Sequence, residues 1–169
     1  MRILYLALSL LIASSAGAVE ALKGRVVGIL DGDTLTLLDQ DANPQRIRLA
    51  QIDAPEKRQA FGQRSKQSLS DLAFNREAEV QVETRDRYGR LVGKIMIEGV
   101  DINLAQIRQG MAWVYQRYAK DPLYFDAEAK AREARTGLWV DKNPTPPWIY
   151  RHPKRSKENV STTEGTHSD

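Results

Sequence analysis

The chain has 169 residues, with 25 Lys and Arg against 22 Asp and Glu and a net charge of +3. That length supports one domain of roughly 120 to 130 residues once leader-like and polar ends are set aside. The absence of Cys excludes disulfides and zinc–thiolate sites, and so small a basic excess does not by itself mark a nucleic-acid binder.

The first residues, Met1-Arg2 and then the apolar run Ile3 to Ile12, are followed by the small residues Ala16-Gly17-Ala18. This is the pattern of a signal peptide over residues 1–18, with an apolar run too short to span a bilayer. Its removal takes Arg2 and lowers the charge to +2, with 24 basic against 22 acidic residues. The mature chain is expected to be exported, to a periplasm or the medium, without stable membrane association.

Lys23 to Leu30 and Thr34 to Leu38 are β-branched and apolar, joined through Asp31-Gly32-Asp33, which predicts a hairpin. Asp41 to Pro44 turns the chain into a third strand, Gln45 to Ile52, and Pro55 stops it. Good helix formers from Gly62 to Ala73 predict a helix. Glu79 to Thr84 and Arg90 to Ile97 form a second hairpin around Asp86-Arg87-Tyr88-Gly89. Asp101 caps a helix that Gly110 ends. Met111 to Tyr118 reads as extended and aromatic, and Asp121-Pro122 opens the longest helix. The prolines at 144, 146 and 147 are expected to break regular structure. The domain then spans residues 19–150, and 151–169 form a disordered polar tail. Five strands, with helices after the third and fifth, match an OB-type barrel in an α+β arrangement with about three helices.

Charge gathers at the exit of the third strand. Arg48, Asp53 and Glu56 stand there, with Asp31 and Asp33 one hairpin away. A phosphodiester resists attack by another anion, so its hydrolysis needs positive charge on the phosphoryl oxygens, an organising cation and a base for water. Asp33 and Asp53 can supply the oxygen ligands that calcium prefers. The planar fork of Arg48 can clamp two phosphate oxygens, with a second Arg further along, and Glu56 is left for proton work. Each element alone has an ordinary reading as a turn, a helix entry or a surface ion pair. Their joint occurrence in one order outweighs those readings.

Asp31-Gly-Asp-Thr34, Arg48-Leu-Ala-Gln-Ile-Asp-Ala-Pro-Glu56, Asp86-Arg-Tyr-Gly-Arg90, Asn103 with Arg108-Gln-Gly110, and Gly137-Leu-Trp139 together resemble the staphylococcal nuclease family. The resemblance runs from about Gly24 to Trp139. It implies calcium held by Asp33, Asp53 and the backbone carbonyl of Ala54, with Asp31 in the outer shell. Ala54 stands where the best-known member has Thr, which a main-chain ligand tolerates. Glu56 is implied as general base, and Arg48 and Arg90 as the groups that hold the phosphate. Tyr88 matches a phosphate-contacting Tyr, with Arg87 beside it. Tyr118 aligns with one base-stacking Tyr, and Tyr115 is the second if the local register differs. The resemblance further implies hydrolysis of DNA and RNA, preferably single-stranded, with little sequence choice and 3′-phosphate products. Nothing demands more than a monomer. The loop Lys57 to Gly62 is shorter than in the best-known member, which touches the preference between DNA and RNA. A non-catalytic, single-strand-binding barrel is the rival reading. The retained Asp33, Arg48, Asp53, Glu56 and Arg90 favour the enzyme.

Overall fold

The structure is a computed structural model that describes residues 21–152. The expected signal peptide and the stretch from residue 153 onward lie outside the described residues. Nine-residue β1 (Ala21–Ile29) turns through Asp31-Gly32-Asp33 into β2 (Thr34–Asp39), and β3 (Pro44–Leu49) completes a meander. After helix α1 (Gly62–Ala73) come β5 (Glu77–Arg85) and β6 (Leu91–Ile97), preceded in the chain by a two-residue β4 (Ile52–Asp53). The sheet order is β3-β2-β1-β5-β6, and parallel pairing of β3 with β6 closes it into a five-stranded barrel. Closure removes the exposed edges that a five-stranded sheet would otherwise present. The expected OB-type barrel is therefore the fold.

The chain leaves β6 through β7 (Val100–Asp101) into α2 (Ile102–Arg108), and β8 (Trp113–Val114) leads to α3 (Pro122–Glu133). A 3-10 turn at Gly137–Val140 and the short helix α4 (Pro147–Tyr150) follow. The caps are those the sequence prescribes. Asp101 accepts from the amide of Leu104 and Asp121 from that of Leu123, while Gly110 ends α2's loop at φ +62°. A side chain on Gly110 would also meet the carbonyl of Thr136 at 2.1 Å.

Three expectations are corrected. The third strand does not run to Ile52: β3 ends at Leu49, Gln51 adopts φ +65°, and Ile52–Asp53 pairs instead with Trp113–Val114. The kink buries Leu49, Ala50 and Ile52 together, which simple alternation forbids. Within Met111 to Tyr118 only Trp113–Val114 is strand. The prolines do not end regular structure either, because Pro147 occupies the first turn of α4, where its missing amide costs nothing. In addition, α3 is no longer than α1, at 12 residues each.

The core is filled by Leu35, Leu37, Ile47, Val80 and Ile95 inside the barrel, and by Leu69, Ile107 and Tyr124 from the three larger helices. A second cluster of Trp113, Ala131, Leu138 and Trp139 lies beneath β8, joined by Phe61 and Trp148. β4 touches both clusters, Ile52 belonging to the first and Asp53 pairing with Trp113 of the second.

Candidate active site

The kink at Gln51 is what brings the carboxylates together. Gln51 accepts on its backbone from the amide of Tyr115 and on its side chain from the amides of Lys120 and Asp121. Held so, the chain drops Asp53 next to Asp33. Asp33 is 6% exposed and Asp53 1%, a placement ionised carboxylates tolerate only when partnered. The partner is Arg48. Its Nη1 lies 3.1 Å from Asp33 Oδ2 and its Nη2 3.0 Å from Asp53 Oδ1, and Nη1 also donates to the carbonyls of Leu49 and Ile52. The backbone amide of Ala54 donates to Asp33 Oδ2 at 2.6 Å.

Asp31 completes the carboxylate group by accepting from the amide of Asp33. Burial, and then the facing charge of Asp33, push its carboxyl up to about 6. Burial likewise pushes Asp53 up, opposed by hydrogen bonds from Arg151 and by the charge of Arg48.

The loops that carry these groups are locked from below by Asn103 and Gly32, which stand in the sequence motifs, and by Gln106, Ser65, Ser68 and Glu128, which the sequence reading did not single out. Buried Gln106 donates to the carbonyls of Gly32 and Ser65 and accepts from Ser68. A Cβ on Gly32 would lie 1.8 Å from Ser65 Oγ and 2.8 Å from Ala54 Cβ. Gly32 is thus a packing requirement between the two carboxylate loops as well as a turn residue. Asn103 accepts from the amide of Ile95 and donates to the carbonyls of Ala50 and Gly93, pinning β6 to the kink. Glu128 accepts from the amide of Val114 and so steadies β8, against which Asp53 pairs. A lone buried Gln or Glu on a helix has no sequence signature that separates it from an exposed one, so Gln106 and Glu128 were not legible.

Glu56 stands at the rim, half-buried, with its amide tied to Gln59. The structure brings Asp31, Asp33, Arg48, Asp53, Ala54 and Glu56 into one cluster. Arg90 makes its ion pair with Asp86, at 2.7 Å across the β5–β6 turn, rather than with these carboxylates. Beside it Tyr88 is 69% exposed, covered on one face by Arg87, whose Nη2 donates to the Tyr88 hydroxyl. Tyr118 is exposed, and Tyr115 meets it edge-on at 5.1 Å while stacking on Trp148 at 5.5 Å.

One site residue falls where the sequence predicts a disordered tail. Arg151, at the end of α4, donates to Asp53 Oδ2 at 2.7 Å, to Asp53 Oδ1 at 3.2 Å and to Glu56 Oε1 at 2.7 Å. A Lys/Arg-rich, Pro-broken segment gave no signal for it.

Among the described residues no group of three or more Asp, Glu or His side chains converges as a ready-made metal site. The fit of a cation must therefore rest on two buried carboxylates plus main-chain and solvent oxygen. The carboxyl groups of Asp31, Asp33, Asp53 and Glu56 outnumber the two guanidinium groups among them, Arg48 and Arg151, and all donors are hard oxygens. A divalent calcium-type ion fits that set.

The profile of the family described as staphylococcal nuclease homologue matches residues 46–141. An uncharacterized endonuclease of Haemophilus influenzae is 43% identical over 141 residues, covering 83% of this chain and 79% of that protein. One from Escherichia coli O157:H7 is 41% identical over 151 residues, covering 89% and 98%. The micrococcal nuclease of Shigella flexneri is 41% identical over 150 residues, covering 81% and 84%. The closed five-stranded barrel, the paired aspartates bridged by one arginine, and these likenesses over most of the chain agree: the protein belongs to the staphylococcal nuclease family and is a nuclease.

Proposed function

We propose that this nuclease is calcium-dependent and hydrolyses the phosphodiester bonds of DNA and RNA with little sequence choice, leaving 3′-phosphate ends. The observation that carries the reading is the Asp33–Arg48–Asp53 bridge with Glu56 at its rim. Asp33, Asp53 and the Ala54 carbonyl would hold the ion, with Asp31 behind them. When bound, the ion supplies positive charge that offsets the charge gathering on the phosphoryl oxygens.

The chain's own residues do the rest. Arg48, and Arg90 once drawn from Asp86, clamp the phosphate through paired N–H bonds. Glu56 accepts a proton from water, whose oxygen bonds to phosphorus while the bond from phosphorus to the 5′ oxygen breaks. The leaving oxygen takes up a proton, and the phosphate remains on the 3′ side. Tyr88 contacts the phosphate, and the exposed Tyr118, with Tyr115 edge-on to it, offers ring faces that stack on bases without reading sequence, which favours single strands. The mature chain acts after export, as a monomer.

The test is hydrolysis of single-stranded DNA by the chain from Val19, with calcium, with a chelator, and with magnesium in place of calcium. Cleavage that needs calcium and leaves 3′-phosphate ends supports the reading. Equal cleavage in chelator would overturn the metal assignment, and binding without cleavage in every condition would overturn the catalytic one.

A further inference from the structure

Arg151 reaches across the site from a segment that lies beyond the family-matched residues 46–141. It is delivered by an anchored element. Trp148 is wedged between Tyr115, on which it stacks, and Trp113, which it meets edge-on at 5.7 Å. The Gln59 side-chain amide donates to the carbonyl of Thr145, so the loop that follows Glu56 is tied to the approach to α4. Tyr150 lines a cavity of about 190 Å³ together with Phe61, Trp113 and Leu138. One turn of helix fixed on these rings sets the Arg151 backbone at the rim of the site, and its 37% exposed side chain reaches in from there.

What the head does there is specific. Its two Nη groups take both oxygens of Asp53, and Nη1 is shared with Glu56 Oε1. Asp53 Oδ1 also receives Arg48. The outward oxygen of Asp53, the one Arg48 does not hold, therefore belongs to Arg151, and so does one oxygen of Glu56. A divalent ion that ligates Asp53 must take that oxygen from a charge-assisted, forked hydrogen bond. The same departure frees Glu56 to accept a proton.

We propose that Arg151 is the resident counter-ion of the active centre, a positioning residue that competes with the cation for Asp53 and holds Glu56 engaged until the cation is bound. Loading of the ion and release of the base are then one event. Without ion, Glu56 is tied up and the buried carboxylates are neutralised; with it, both constraints lift together. The inference rests on the assignment of Asp33 and Asp53 as calcium ligands.

The test is calcium binding by calorimetry on the chain from Val19, with wild type, Arg151→Ala and Arg151→Gln. Removing the competitor should tighten calcium by roughly tenfold in both variants, the scale of one charge-assisted contact. Without calcium, both variants should melt lower than wild type, and the rise in Tm on adding calcium should be larger. A side chain that merely stabilised the fold would lower Tm without tightening the ion. Unchanged or weaker calcium affinity in the two variants overturns the proposal. If wild type and variants alike bind no calcium, the metal assignment itself falls, and this inference with it.

Discussion

The two arginines expected to hold phosphate live in opposite surroundings. Arg48 is sunk between Asp33 and Asp53, with two main-chain carbonyls as further acceptors, while Arg90 sits on the β5–β6 turn and pairs with Asp86 four residues away. Arg48 is part of the fold because without it two buried carboxylates face each other across 20 residues of sequence. Among the described residues Arg90 forms its ion pair within its own turn, with Asp86. The contrast separates an arginine that substrate finds already in place from one that substrate must recruit.

The sharpest way to break the contrast is Arg48→Ala. Removing the one guanidinium that, among the described residues, is shared by Asp33 and Asp53 leaves a buried charge uncompensated, which costs on the order of 3 to 5 kcal/mol. Urea unfolding should show a loss of that size, and hydrolysis of single-stranded DNA should fall below detection. A variant as stable as wild type would mean that the carboxylates are neutralised from elsewhere. Glu56→Gln separates chemistry from stability. It keeps the shape and one acceptor for Arg151, so the fold should survive, while turnover drops by about 10² to 10⁴ as expected for loss of a general base. Full activity in this variant would remove Glu56 from the proton step.

The same contrast explains what could be read from the chain and what could not. Asp33, Arg48 and Asp53 were legible because hairpin, strand and proline signals place them at element ends, where chemistry gathers. The barrel followed from five apolar runs and their turns. Illegible was everything set by long-range partners. The β4–β8 pair has two residues on each side, too few for any period to show, and it depends on a left-handed Gln51 that only its acceptor role toward Lys120 and Asp121 rationalises. Gln106 and Ser65 look like ordinary polar helix residues until the loop of Gly32 is packed on them. Arg151 acts on residues 98 and 95 positions earlier, from a segment whose composition announces only solvent.

Smaller effects sharpen the recruitment side of the comparison. Tyr118→Ala removes an exposed ring that meets Tyr115 edge-on and lies under the Arg117 guanidinium. It should leave Tm within a few degrees and weaken single-stranded DNA binding by roughly 1 to 3 kcal/mol, the worth of one stacked base. Fluorescence titration with an oligonucleotide would read this directly. An unchanged affinity would remove Tyr118 from base stacking and leave Tyr115 as the stacking ring.

The smallest expected effect is that of Asp86→Asn, and it bears most closely on how Arg90 is recruited. Asp86 Oδ1 accepts from the amides of Tyr88 and Arg90 and so shapes the turn, while Oδ2 holds the Arg90 Nε. Asn keeps the first acceptor and loses the charge that detains Arg90. Arg90 should then reach phosphate at lower cost, and KM for single-stranded DNA should fall a few-fold at low salt, with the gain shrinking as salt screens it. The stability change has a sign that pH can check. Burial pushes the Asp86 carboxyl up, but its bonds from Arg90 and Tyr88 outweigh this and hold it below its ordinary 3.8. A folded value below the unfolded one means that the stabilisation is present above about pH 4 and is lost as pH falls through the folded value. The Tm gap between wild type and Asp86→Asn should therefore be open at neutral pH and close in acid. A gap that persists in acid would assign the stabilisation to turn shape alone and leave Arg90 without a charge partner to be recruited from.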